Sequence, residues 1–405
     1  MNKKFSKLFL VFLAVTIIFL GASLVIVTKE KVDIEDISGD RGYLEDMSIV
    51  YQKTKGLFQT NKIRITKDGE KVDYFVKEAS REFSLSQEDI NNRDIYQLVD
   101  ERSNVCTNEN EIVNISLYNN DSLFSGEEMV AYVEVKNKKS NKIDEYEILV
   151  DDKIDADGNS TYKAIPIRYK DNIYLAVMSS IYSEEAYDEL SSSTENYYSK
   201  SYLSLYKLNL SNKKSKAILR KSYDNNEIYM DTHLGFSHKN TTYFIISEKN
   251  EKKNEYETSL FAFDVISKEI NIINLGINNS VIDNYYINGD EVLLSSSSSM
   301  KEENIITLVV DLNKKEVKQK NEISVKKQED IYRNVVALNR SKGKIYLILG
   351  DYNNADYIDV ASQSYETNYY IYIIDEKSND ILYKGKIKEN TAYDLKFSIL
   401  HKDEL

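Results

Sequence analysis

Three features of the chain predict an all-β fold of the propeller class behind a single N-terminal membrane helix. Four segments between residues 170 and 387 repeat one three-strand plan, and a further strand precedes three of them. β-Branched and aromatic residues recur throughout the region that follows an N-terminal apolar run. Tyrosine is the unusual component, with 32 copies beside 13 Phe and no Trp. The abundance of Lys, Asn, Ile and Tyr with one proline, Pro166, also fits the drift of an AT-rich genome, so a single Tyr or Asn carries little weight.

Residues 8–27, LFLVFLAVTIIFLGASLVIV, form an unbroken apolar or small-residue run. As one helix it reaches ~30 Å, the thickness of a bilayer core. Lys3, Lys4 and Lys7 precede it, whereas acids dominate beyond Lys29, so the positive-inside rule leaves the short tail in the cytoplasm. The predicted organisation is a tail over 1–7, an anchor over 8–27, a juxtamembrane linker over 28–42 and an extracytoplasmic propeller over 43–405. A signal peptide cleaved near Gly21-Ala22-Ser23 is the rival reading, but LVIV carries the apolar run past that site.

The stretch 61–76, NKIRITKDGEKVDYFV, reads as two alternating strands around Asp68-Gly69, and residues 127–150 read as a second hairpin. Between them, Ile95, Leu98 and Val99 stand at helical spacing and predict a helix within 86–104. Residues 43–160 are expected to supply irregular N-terminal blades or a separate β-domain.

The recognisable repeats occupy 161–390. The first unit is KDNIYLAV (170–177), SLYKLNL (204–210) and SKAIL (215–219); the second is HKNTTYFII (238–246), SLFAFDV (259–265) and EINII (269–273). The third is NGDEVLL (288–294), ITLVVDL (306–312) and EVKQK (316–320); the fourth is KGKIYLIL (342–349), YIYIIDE (370–376) and DILYKGKI (380–387). Preceding strands are predicted over 230–237, 280–287 and 334–340. A spacing of roughly 50 residues suits four-stranded blades with insertions, and the total comes to about six or seven. The last segment, 391–405, contains AYDLKFSIL at 392–400, a strand that would close the ring against an N-terminal blade and hide a sheet edge.

The basic tail, the membrane helix, DIEDISGDRGYLEDMSI at 33–49 and degenerate repeats such as SLYKLNL and SLFAFDV together resemble membrane-anchored, extracytoplasmic β-propeller-like proteins of Gram-positive bacteria. The resemblance covers nearly the whole chain. It implies placement at the cell membrane and a fold, and it transfers no catalytic residue.

Composition narrows the function. With 66 acidic and 53 basic residues the formal charge is −13, which argues against binding a phosphate backbone, so no nucleic-acid partner is expected. The one cysteine, Cys106, excludes an internal disulfide. No glycine-rich phosphate loop, G-x-S-x-G elbow, H-E-x-x-H helix or C-x-x-C pair occurs. His233 and His238 lie five apart in a strand-like stretch and so point to opposite faces, which opposes a shared zinc. Asp151, Asp152, Asp155 and Asp157 before Gly158 have the composition of a calcium loop but not its spacing, because Ala164 stands where the twelfth-position acid belongs. No cofactor or metal is expected.

The repeats differ most in one connection, which is long at 179–200 and 350–368 and rich in Tyr, Ser and acids. In a propeller both insertions emerge on the face that carries the links between blades. Tyr182, Tyr187, Tyr197, Tyr198, Tyr352, Tyr357 and Tyr365 offer rings for stacking on sugars or peptide side chains, and Glu184, Glu185, Asp188, Asp351 and Asp356 offer acceptors. The expected function is a membrane-tethered binding, sensory or scaffold module that recognises an envelope glycan, peptide or partner protein. Two alternatives remain at this point. One is an extracellular hydrolase using a carboxylate pair, and the other an endoplasmic-reticulum lumenal protein if the terminal Lys402-Asp403-Glu404-Leu405 is a retrieval signal.

Overall fold

A computed structural model describes residues 33–55, 59–67, 69–75, 104–107, 109–118, 129–150, 158–182, 198–224, 228–250, 255–278, 280, 282–297, 304–325, 331–353, 367–388 and 396–401. The apolar run 8–27, the basic tail, residues 86–103 of the expected helix, the acidic stretch 151–157 and the last four residues lie outside them. Among the described residues no helix is long and apolar enough to cross a membrane.

The strands in chain order are β1 (Asp33–Gly39), β2 (Met47–Lys55), β3 (Gln59–Thr66), β4 (Gly69–Phe75), β5 (Asn104–Thr107), β6 (Glu111–Tyr118), β7 (Met129–Asn137) and β8 (Ile143–Val150). They continue with β9 (Gly158–Tyr169), β10 (Asn172–Tyr182), β11 (Tyr198–Asn209), β12 (Lys214–Asp224), β13 (Ile228–His238), β14 (Thr241–Asn250), β15 (Glu255–Asp264) and β16 (Glu269–Asn278). The last are β17 (Asn284–Asn288), β18 (Glu291–Ser297), β19 (Asn304–Asp311), β20 (Glu316–Ser324), β21 (Ile331–Ser341), β22 (Lys344–Asn353), β23 (Thr367–Asp375), β24 (Ile381–Lys388) and β25 (Lys396–His401).

Pairing groups these strands into consecutive four-stranded antiparallel meanders, which makes the all-β fold propeller-like. The first is β25-β2-β3-β4, and the next four are β5 to β8, β9 to β12, β13 to β16 and β17 to β20. The sixth is β21 to β24, with β1 added on its outer edge. The second and third meet through a parallel bridge between Lys214 and Leu149.

Neighbouring meanders share their cores. Ile112 aside, the buried residues of β6 and β7 such as Ile115 and Val133 pack with Leu175 and Tyr206 of the third meander. The third packs on the fourth through Met178, Leu205, Phe244 and Phe261, and the fourth on the fifth through Ile245, Leu260, Leu294 and Leu308. Leu293 and Val309 then meet Leu347 and Tyr372, and Ile348 and Ile371 meet Met47, Ile49 and Ile399. Each fully buried aliphatic or aromatic side chain contributes about 1.5–3 kcal/mol, so face-to-face stacking of sheets stabilises the whole series. At the contact between β9 and β13, a Cβ on Gly235 would stand 2.5 Å from Ile165 Cδ1, so any larger residue there would make that side chain shift.

The turn that joins the third and fourth strands of a meander repeats one device. Asn137, Asn209, Asp264, Asp311 and Asp375 each accept, through Oδ1, the backbone N–H groups two and three residues on. The residue four on, Asn141, Lys213, Lys268, Lys315 or Asn379, takes a positive φ between 55° and 62°. A short side chain that mimics a backbone turn and a left-handed residue together reverse the chain in little space.

Two features differ from the sequence reading. Residues 33–39, expected within a linker, form β1, which pairs with β24 from Asp33 beside Lys388 to Gly39 beside Tyr383. Ile34 is buried there, while Arg41 bonds Asp36 at 2.7 Å and the Ile34 carbonyl, and Tyr383 donates to Asp36 at 2.6 Å. Partial burial opposes ionisation of Asp36, yet these bonds from Tyr383 and Arg41 hold its carboxyl below the usual range. Gly39 adopts φ +81° with its hypothetical Cβ 2.0 Å from the Leu382 carbonyl oxygen, so no other residue fits that end of β1. The second difference is β9, an inner strand of the third meander that carries Pro166. It pairs on one side only, with β10, an edge position of the kind in which a proline is tolerated.

Candidate functional site

The inner strands are β25, β5, β9, β13, β17 and β21, the first in each meander. Their ends define two ends of the molecule, one carrying the short turns and the other the insertions. At the insertion end of the third meander, Tyr182 pairs in register with Tyr198, and with Gly158 on the inner strand. At the same end of the sixth, Asp351 and Tyr352 lie near the end of β22, where Tyr352 pairs with Tyr332 and with Thr367. Glu184, Glu185, Tyr187, Asp188, Tyr197, Asp356, Tyr357 and Tyr365 lie outside the described residues. In chain order the fourth and fifth meanders lie between the described candidates, Tyr182 and Tyr198 on the third and Asp351 and Tyr352 on the sixth.

The best-defined cluster surrounds Asp351. Arg333 of β21 reaches across to it with Nε–Oδ1 2.5 Å and Nη2–Oδ2 2.7 Å, and Nη1 donates to the Val325 carbonyl at 3.2 Å. The side chains are only 10% and 7% exposed, so this is a buried, bidentate pair in which Asp351 has both oxygens engaged. Burial works against the Arg333 charge, and the hydrogen bonds to Asp351 more than restore it. Tyr372 packs in the same core, and burial pushes its phenol up to about 12. Lys384 lies 5.2 Å from the Tyr372 ring centroid and 5.4 Å from that of Tyr370, and Lys386 is 5.9 Å from the latter. Sequence reasoning picked out Asp351 but missed Arg333; an arginine two residues into an inner strand was the available signal.

The opposite end carries a series of clasps between successive meanders. Arg168 of β9 and Arg340 of β21 stand two residues before equivalent turn lysines, Lys170 and Lys342. Each reaches back to the glutamate that opens the preceding meander's second strand. Arg168 approaches Glu111 at 2.6 Å as an ion pair, and Arg340 bonds Glu291, which also binds Lys318. His238 and Lys239 hold Asp290 at 2.8 and 2.6 Å, and Lys342 holds Asp46 at 2.5 Å.

These clasps set an acid dependence. Hydrogen bonds from Lys239 and then His238 hold Asp290 far below the usual carboxylate range, and Lys318 and then Arg340 depress Glu291. A depressed native pKa contributes stability that is complete above the unfolded value and is lost as pH falls through the native one. The urea midpoint is therefore expected to hold above about pH 5 and to fall below about pH 4. Glu291→Gln should flatten that fall; an unchanged slope would show the clasp to be without thermodynamic weight.

Among the described strands the inner ones carry a single acid, Asp231. Glu134 and Glu145 form a cross-strand pair, and burial raises the Glu134 pKa despite the Asn114 hydrogen bond at 2.8 Å. That pair sits on β7 and β8, away from the inner strands. Among the described residues no group of three or more His, Cys, Asp or Glu is placed to hold a metal. Burial pushes the Cys106 thiol up to about 12, which leaves it unreactive.

No protein-family model matches the chain, nor does any curated protein. Among solved structures, a protein of unknown function from Dyadobacter fermentans is 10% identical with a TM-score of 0.35, covering 73% of this chain and 96% of its own. A mutant Trypanosoma rangeli sialidase displaying trans-sialidase activity is 10% identical with a TM-score of 0.37, covering 75% of this chain and 54% of its own. A subtype N10 neuraminidase-like protein of A/little yellow-shouldered bat/Guatemala/060/2010 is 11% identical with a TM-score of 0.34, covering 80% of this chain and 94% of its own. Overlaps this loose transfer no residue, ligand or activity, and the propeller-like description rests on the strand register of the chain itself.

Proposed function

We propose that the chain is a membrane-tethered, extracytoplasmic binding module of the bacterial cell envelope, a closed six-bladed propeller anchored by residues 8–27. It recognises an envelope glycan, peptide or partner protein through the end from which segments 183–197 and 354–366 leave. The observation that carries this reading is the register of β10 with β11 and of β22 with β23. It supports both Tyr-rich insertions on rigid strand ends in the position where propellers present variable connections. A carboxylate-dependent hydrolase gains less support, since the described inner strands offer one acid where two must converge.

The test follows from the strand bounds. Because β10 runs to Tyr182 and β11 starts at Tyr198, residues 183–197 are replaceable by a short Gly-Ser turn without cutting either strand. Cells expressing the full chain are crosslinked, and the species captured by the native protein and by the variant are compared by mass spectrometry. The expected outcome is loss of the specific capture with an unchanged thermal midpoint. Equal capture by the variant would sink the proposal for this insertion, and the same replacement of 354–366 examines the other.

A further inference from the structure

We infer that the insertion-bearing end of the propeller is the end that faces the bilayer, so that the ligand recognised there is one displayed at the membrane surface. The inference rests on the membrane-tether reading above and narrows the class of ligand. Its basis is the direction of β1. Strand β24 runs from the turn after Asp375 to Lys388, and β22 and β23 bracket the 354–366 insertion at the Lys388 end. Antiparallel β1 begins beside Lys388 and ends beside Tyr383, so the chain enters the fold at the insertion end.

The entry point is fixed. Ile34 is buried in the core shared with the first meander, Glu35 pairs with Lys388 at 3.5 Å, and the Asp36, Arg41 and Tyr383 bonds lock the middle and far end of the strand. Between the apolar run and Asp33 stand residues 28–32, which reach no more than ~18 Å even fully extended. A blade built on ten-residue strands such as β22 is ~30 Å tall. The insertion end therefore lies within one tether length of the lipid headgroups, and the turn end, with its repeated Asx devices, stands a blade height farther away. Polymers approaching from outside meet the turn end first.

The experiment uses the full chain carrying Cys106→Ser, reconstituted into phosphatidylcholine vesicles that contain a lipid with a nitroxide headgroup. Single cysteines carrying a fluorophore are placed at exposed positions of the insertion end (Asn278→Cys or Ser324→Cys) and of the turn end (Ser267→Cys or Lys377→Cys). Headgroup quenching is expected to be several-fold stronger at 278 and 324 than at 267 and 377. Equal or reversed quenching on protein that floats with the vesicles would overturn the orientation while leaving the tether intact. Protein that does not float with them would overturn the tether, and the orientation with it.

Discussion

Truncation after residue 395 is expected to abolish the cooperative unfolding transition. Strand β25 is the inner strand of the first meander and pairs with β2 from Met47–His401 to Gln52–Lys396, so its loss strips one whole edge from a sheet whose core is shared with the sixth meander. Phe397, Ile399 and Leu400 are buried, and at about 1.5–3 kcal/mol each their removal is of the same order as the net stability of an ordinary domain. The Phe397 ring lies 4.5 Å from that of Tyr369 at a 55° tilt, and the buried Asn339 side chain donates to the Ile399 carbonyl at 2.7 Å. Without β25 that amide is stranded in a core position, which adds about 1–3 kcal/mol. Thermal scanning with size-exclusion chromatography gives the readout. A sharp transition within a few degrees of the full chain would mean that the stacked meanders hold without this strand.

Arg333→Met should be the most damaging single substitution near the insertion end, at about 3–5 kcal/mol, because it leaves the Asp351 carboxylate buried without its cation. The partner change, Asp351→Leu, strands the guanidinium in the same way. The double variant should recover most of the loss, since two apolar side chains of similar bulk fit a site already lined by Leu349 and Tyr372. Urea denaturation of the four proteins closes the cycle. A cost below about 1 kcal/mol for Arg333→Met would show that the pair is solvated like a surface ion pair.

The strands that read clearly from sequence are those in which burial alternates or turn chemistry is explicit. β18, β19 and β20 follow Asn288-Gly289 and Asp311 as expected, and β3 and β4 flank Asp68-Gly69. Strands β5 and β6 were not foreseen, because Ile112 and Val113 are both buried in a strand with neighbours on both sides, so the period of two is lost. β1 was hidden for the opposite reason: among residues 34–39 only Ile34 is buried, and the strand is otherwise held by ladder bonds and the Asp36 lock. At the turns after β7, β11, β15, β19 and β23, the lysine or asparagine four residues after the Asp or Asn is the residue that marks the left-handed position. At the candidate site, the insertions were legible as composition. Their division between units separated by two others was legible as well, since 179–200 falls in the first repeat and 350–368 in the fourth; the Arg333 partner of Asp351 was not, because it depends on cross-strand register rather than on any local pattern.

The placement of β1 also decides how the protein carries load. A pull delivered through residue 33 acts along the strand axis, away from Gly39, so the β1–β24 ladder is loaded in shear and its pairs from Asp33–Lys388 to Gly39–Tyr383 share the force at once. Had the strand entered from the other end, the same pull would peel the pairs apart one by one at far lower force. The latch that joins the start of the described chain to its sixth meander is thus arranged so that tension applied at residue 33 resists detachment, and the β1–β24 ladder is not the part expected to yield first.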